Sequence, residues 1–205
     1  QASYRPRALD GKLEATLGIR YTKDKKSIDQ TSPVVRNNRN TNNNTSYNAI
    51  LSYNWTDDVM TYVRFGTGYR SGGFNARASA TQNFFFLPEK AQTWEGGIKT
   101  EFFDHRLRLN ASAFYTKYKN LQVTQFVTTG AGNSGGFTSN AKADFKGFEV
   151  EFQAVPARGL TLNASVGYVD PKYKVFISPD PDNPGEYINA AKISKFPYVP
   201  KWTAN

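Results

Sequence analysis

The chain has no cysteine, one histidine and one methionine among its 205 residues. The lack of thiols excludes a disulfide scaffold, a Cys-based zinc or iron–sulfur site and a thiol nucleophile. A lone His105 cannot build a ligand cluster, which argues against haem or a structural metal held by this segment. Long apolar runs are also missing. The longest is Phe84-Phe85-Phe86-Leu87, far below the about 18 residues of a membrane-spanning helix. The opening Gln1-Ala2-Ser3-Tyr4-Arg5-Pro6 leads into no apolar core and does not read as a signal peptide. Acidic residues are outnumbered 17 to 26 by lysine and arginine, a formal net charge of +9. Those basic residues are spread along the chain without a patch or a recognition module, so nucleic acid is not expected as a partner.

What is present is an unusual pairing: 15% aromatic residues in a chain whose mean hydropathy is −0.60. A soluble core would draw on Leu, Ile and Val instead. The aromatics fall into runs of strict alternation. Leu13, Ala15, Leu17, Ile19 and Tyr21 alternate with Glu14, Thr16, Gly18, Arg20 and Thr22. The period of two returns at Tyr47–Trp55, Trp94–Phe102, Leu107–Tyr115, Phe148–Ala154 and Leu160–Tyr168. Each is a half-apolar strand, and together they predict an antiparallel sheet. A further strand covers 59–70, with Val59, Thr61, Val63, Phe65 and Thr67 on one face and Met60, Tyr62, Arg64 and Gly66 on the other. If one face meets lipid, Arg64 there would cost about 2–4 kcal/mol near the midplane. The Val63/Phe65 face therefore points out, with Tyr62 and Arg64 inward.

Connections alternate too. Short turns fall at Leu9-Asp10-Gly11, Thr56-Asp57-Asp58, Asp104-His105-Arg106 and Pro156-Ala157-Arg158-Gly159, while longer polar stretches lie at 24–46, 68–90, 128–138 and 170–197. Tight turns at one end and long loops at the other are the mark of an outer-membrane-type barrel. The predicted fold is all-β: an antiparallel up-and-down transmembrane β-barrel segment of about seven full strands plus partial ones, with short periplasmic turns and long extracellular loops. A soluble sandwich also alternates, but it seldom needs strands as long as the one near 106–127.

Several stretches resemble the barrel of TonB-dependent outer-membrane receptors. They are Met60-Thr61-Tyr62 through Gly68-Tyr69-Arg70-Ser71-Gly72-Gly73-Phe74-Asn75, Pro88-Glu89-Lys90 with Trp94-Glu95-Gly96-Gly97-Ile98-Lys99, and Leu107-Arg108-Leu109-Asn110-Ala111 with Phe114-Tyr115. Lys146-Gly147-Phe148-Glu149-Val150-Glu151 and Pro200-Lys201-Trp202-Thr203-Ala204-Asn205 complete the ordered set. In that family a barrel of about 22 strands encloses an N-terminal plug, and an inner-membrane TonB energy complex drives uptake through it. The resemblance implies the outer membrane of a Gram-negative bacterium and energised uptake of a scarce nutrient, a ferric siderophore by family frequency, with no cofactor. No plug-like region or energy-coupling box is seen here, and both ends look like partial strands. The expectation is an internal piece of the barrel, lacking the plug and the barrel C-terminus. A passive porin-like channel and a soluble secreted β binding domain remain as alternatives.

Three groups of residues are candidate sites. The loop after 68 carries Tyr69, Arg70, Phe74, Asn75, Arg77, Phe84, Phe85 and Phe86, rings to stack on and arginines for charge, which would suit an aromatic or anionic metal chelate. The competing expectation is a loop folded over its own aromatic cluster. The inward face offers Arg20, Tyr62, Arg64, Glu95, Lys99, Glu101, Arg108, Glu149 and Glu151, expected to face the plug and lumen water. Catalysis is not expected from them, because nothing supplies a nucleophile or a shielded pocket. On the outward parity, Lys23, Lys117, Lys146 and Lys172 lie near the top of the about 25 Å apolar band, where lipopolysaccharide phosphates would meet them, or where they would simply snorkel. Tyr53, Trp55 and Phe102 near the short turns fit the inner aromatic girdle. Two motifs fail. Gly66-Thr67-Gly68 opens no phosphate-loop helix, and the two prolines in Asp180-Pro181-Asp182-Asn183-Pro184-Gly185-Glu186 break a calcium-loop pattern.

Overall fold

Seven long strands follow one another as hairpins in the computed structural model, which describes residues 1–6, 9–31, 35–77, 84–128, 134–180, 182–183 and 186–205. They are β2 (Leu13–Gln30), β3 (Arg36–Asn54), β4 (Val59–Arg70), β7 (Glu89–Phe102), β8 (Leu107–Thr128), β9 (Ser134–Ala157) and β10 (Leu160–Val175). The three-residue strands β1 (Ala2–Tyr4) and β13 (Trp202–Ala204) flank them, giving one antiparallel sheet in the order β1-β2-β3-β4-β7-β8-β9-β10-β13. Two small hairpins stand apart: β5 (Gly73–Phe74) with β6 (Phe85–Phe86), and β11 (Ile177–Pro179) with β12 (Tyr187–Asn189).

Every long strand pairs with its sequence neighbours, so the chain is a meander whose tight ends need special backbone angles. Asp10 (φ 50°) and Gly11 (φ 70°), then Phe103, Asp104 and His105 (φ 57°, 53° and 65°), and Gly159 (φ 84°) occupy the left-handed region at three of the short turns. At the other end the polar stretches are shorter as loops than their composition implies. The Asn-rich run within 24–46 continues as ladder, Gln30 pairing with Arg36, and most of 128–138 belongs to β8 and β9. Asn and Thr can extend a strand where one face meets water, which composition alone does not reveal.

The register separates two faces. One carries Leu17, Ala49, Phe65, Trp94 and Tyr115 in cross-strand rows, and no charge lies between that level and Tyr53/Phe102 below it. Its apolar side chains stand open: Leu17 is 65% exposed, Ile19 70% and Val63 54%. A contiguous apolar face of this extent is not stable against water and calls for another apolar phase. No large side chain among the described residues is fully buried. The small core sits at the loop end, where the segment after β10 folds back on the opposite face of β8–β10. There Ala141, Ala143, Tyr173, Phe176 and Ala190 are buried, with Tyr118, Leu121, Phe145 and Phe196 packed around them. The Tyr173 ring stacks between Phe176 (4.6 Å) and Phe196 (3.9 Å).

Candidate functional site: a loop groove and two faces

The connection between β4 and β7 is built around its own side chains. Phe74, Phe84 and Phe85 form a ring cluster with centroids 4.9–5.4 Å apart, and the Arg36 guanidinium lies 4.3 Å above Phe84. The Phe86 ring lies against Gly73, where a Cβ would sit 2.7 Å from it. Asn75 is buried and acts as a piece of backbone: its Nδ2 donates to the Thr138 carbonyl and its Oδ1 accepts from the Thr138 N–H, both at 2.8 Å. Asn140 does the converse, accepting from the Leu87 N–H (2.7 Å) and donating to the Leu87 carbonyl (3.1 Å). Gln122 Nε2 reaches the carbonyls of Ser71 (3.0 Å) and Leu87 (3.2 Å). The connection is thereby fixed to the upper parts of β8 and β9.

Of the eight loop residues singled out from sequence, Phe74, Asn75, Phe84 and Phe86 thus hold the loop itself. Tyr69 pairs with Lys90 and Arg70 with Glu89, so these two alternate to opposite faces of the β4–β7 ladder. Arg70, Arg77 and Phe85 remain exposed. Phe85 enters a groove of about 600 Å³ with Leu87 on one wall, Ile177 and Tyr187 on the other, and Phe137, Thr138, Ser139 and Asn140 as the floor. Sequence reading missed the floor and the second wall. Their residues lie in stretches whose only local signal was polarity, and the groove exists because two connections distant in sequence meet over β9.

The face opposite the apolar one holds all nine of the mixed-charge residues. Tyr62 donates to Glu95 Oε1 at 2.7 Å, with Lys99 Nζ 5.8 Å from the Tyr62 ring. Arg64 donates to Asn48 Oδ1 (3.2 Å), and Arg108 donates to Glu101 Oε1 (2.7 Å), while His105 Nδ1 lies 3.2 Å from Glu101 Oε2. Glu149 pairs in register with Ser112, Glu151 with Asn110, and Arg20 with Ser46. Among the described residues no group of His, Cys, Asp or Glu has metal-site geometry.

Lys23, Lys117, Lys146 and Lys172 are exposed on the apolar-face parity, in register with Asn43, Gln92, Tyr115 and Asp144 respectively. They are not equivalent. Lys172 lies 3.0 Å from Asp170, which Lys201 also approaches (3.7 Å), and Asp144 is engaged by Lys174 (3.4 Å) and the Tyr115 hydroxyl (2.8 Å). Lys117 Nζ sits 5.6 Å from the Tyr115 ring. Near the tight turns, Trp55 packs edge-on to Tyr53 (4.8 Å) and donates to Thr61 Oγ1 (2.9 Å).

An up-and-down antiparallel sheet with an uncharged apolar band across one face, a polar opposite face, tight turns below and folded loops above defines a section of transmembrane β-barrel wall. The chain belongs to the family of TonB-dependent receptor-like β-barrels, whose family model matches residues 1–205. It is 28% identical over 163 residues to the probable TonB-dependent siderophore receptor PiuA of Acinetobacter baumannii, covering 75% of this chain and 21% of that protein. It is 23% identical over 164 residues to the metal-pseudopaline receptor CntO of Pseudomonas aeruginosa, covering 78% of this chain and 22% of that protein. The fold is shared with the crystal structure of the ferric yersiniabactin uptake receptor FyuA of Yersinia pestis (TM-score 0.68, 24% identity, 94% of this chain and 28% of that one). The chain therefore spans about a fifth of the length of the curated relatives it matches.

Proposed function

We propose that this chain is the ligand-gripping part of the wall in an energised outer-membrane receptor that takes up a chelated metal, the ferric siderophore class foremost. The observation that carries this reading is the groove over β9, open at the loop end and walled by Phe85, Leu87, Ile177 and Tyr187. Aromatic and aliphatic walls suit the flat rings of an organic chelate, and the Ser139 hydroxyl on the floor, which accepts from Gln125, keeps its own hydrogen to donate. The named activities of relatives, a probable siderophore receptor and a metal-pseudopaline receptor, are of the same class.

In this reading the polar face, from Arg20 and Arg64 through Glu95 and Glu101 to Glu151, meets the plug and lumen water, and the plug carries the coupling to the inner-membrane TonB complex. The apolar face meets the lipid of a Gram-negative outer membrane, with Lys23, Lys117 and Lys146 at the level of lipopolysaccharide phosphates. A soluble secreted domain does not fit the open apolar face. The test uses the full-length receptor and a panel of ferric catecholate, hydroxamate and phenolate chelates, with binding followed by fluorescence quenching. Phe85→Ala and Tyr187→Ala are each expected to weaken binding of the recognised chelate about tenfold, while Arg70→Ala reports any share of charge. Unchanged affinity in both aromatic variants would remove the groove from the uptake route.

A further inference from the structure

The cross-strand register assembles a feature that no single strand displays. Lys90 of β7 pairs with Lys119 of β8, and Lys119 pairs with Lys142 of β9, so three lysines stand side by side at one height. All three are exposed, and among the described residues no carboxylate lies within ion-pair distance of any of them. Like charges directly opposite one another on a sheet repel and weaken the ladder. The rows beneath relieve this: in the next row down Lys117 and Lys172 flank Asp144, and one row lower Lys146 stands beside Asp170. Only the upper row has nothing to offset it.

Its height is set by the strands. Lys119 is the twelfth residue above Leu107, which at the rise and tilt of a barrel strand is roughly 28 Å, just above the about 25 Å apolar band. Beneath it on the same face comes the aromatic line of Phe65, Trp94 and Tyr115. Directly above it Asn120 adopts φ 56° and inserts a bulge, after which Leu121 pairs with Ala141 and turns to the opposite, buried side. The bulge flips the parity of β8, so Lys119 is the last odd-numbered residue of that strand to face out, and above it Leu121 and Val123 turn inward.

We infer that Lys90, Lys119 and Lys142 form a seat for the phosphate groups of an outer-leaflet glycolipid headgroup. The inference rests on the reading that this face meets lipid. Three ammonium groups on adjacent strands, about 5 Å apart at the backbone, match a phosphate monoester that accepts from several donors at once, and the ligand supplies the charge the row lacks. Lys172, held by Asp170, is not part of this seat.

The test is native mass spectrometry of the full-length receptor, wild type against the triple variant Lys90→Gln/Lys119→Gln/Lys142→Gln. Each is offered a phosphorylated glycolipid, the same lipid with its phosphates removed, and inorganic phosphate alone. Wild type is expected to retain the phosphorylated lipid about tenfold better than the triple variant. The dephosphorylated lipid is expected to bind both weakly and equally, and inorganic phosphate to be retained by neither. Equal retention by wild type and variant overturns the inference, as does a site filled by inorganic phosphate but not by lipid. A spin label at Ala113→Cys, on the same face and lower down, separates the underlying reading. Contact with lipid there together with equal retention defeats the lysine seat alone, whereas contact with water defeats the lipid-facing assignment as well.

Discussion

Glycine and aromatic residues face each other across the ladders of the polar face in a way that fixes individual rings. Tyr62 pairs with Gly97 and lies over it, so a Cβ at Gly97 would sit 2.6 Å from Tyr62 Cε1. Phe114 and Gly147 repeat the arrangement, with the Tyr168 carbonyl closing the space beside Gly147. Such pairs fill the hole a glycine leaves and pin the register. Gly97→Ala is expected to push the Tyr62 ring aside and break its hydrogen bond to Glu95, costing about 1–2 kcal/mol in denaturant unfolding of the full receptor. Tyr62→Phe should cost less, since it removes the hydroxyl and keeps the packing. Asp180, just beyond β11, makes a different residue-scale prediction. Its carboxylate accepts from Asn183 Nδ2 (2.9 Å) and the Asp182 N–H (3.0 Å), and these bonds hold its pKa below the ordinary aspartate value. A depressed pKa means that the stabilisation is fully present above the unfolded value of about 3.9 and is lost as pH falls through the lower folded value. Protection of the 182–183 amides, measured against their intrinsic exchange rate at each pH, is therefore expected to hold down to about pH 4 and to fall below it. Asp180→Asn should flatten that pH dependence.

Among the elements, β8 decides how the molecule changes from membrane wall to loop platform. Below Asn120 its odd-numbered residues share the apolar face; above it Leu121 and Val123 pack against the buried cluster around Ala141 and Tyr173. One residue in the left-handed region accomplishes the switch, and Asn tolerates that conformation where a β-branched side chain does not. Asn120 Nδ2 also donates to the Pro88 carbonyl (3.3 Å). Asn120→Gly and Asn120→Val both lose that bond, so their difference isolates the backbone. Val is expected to destabilise the full receptor by about 1–2 kcal/mol more than Gly in denaturant unfolding. Equal stabilities would mean that the bulge does not need a positive φ.

For the whole molecule, the apolar face is the largest commitment. Its rows contain no charge between the Tyr53/Phe102 level and the Trp94/Tyr115 level, and many of its side chains are open. Val63→Arg in the full receptor is expected to cost about 2–4 kcal/mol in a bilayer, seen as a lower fraction of heat-modifiable folded barrel on gels. Ser112→Arg, on the polar face opposite Glu149, should leave that fraction near wild type. Equal loss in both variants would show that the two faces are not in different solvents.

Much of this was legible before any coordinates. Strand positions, the separation of Val63 and Phe65 from Tyr62 and Arg64 onto opposite faces, and the sites of the tight turns all follow from alternation and turn chemistry. These are local properties: successive side chains of an extended chain must point to opposite sides whatever lies beyond it. The groove over β9, the role of Asn75 as a stand-in for backbone, the pairing of Lys172 with Asp170 and the row of Lys90, Lys119 and Lys142 were not legible. Each depends on which residues of different strands share a height, and one residue of slip or one bulge changes every such neighbour. The chain by itself determined the faces; only the tertiary structure decided who stands beside whom on them, because register is set by pairing and loop closure across the sheet and not by the order of residues along one strand.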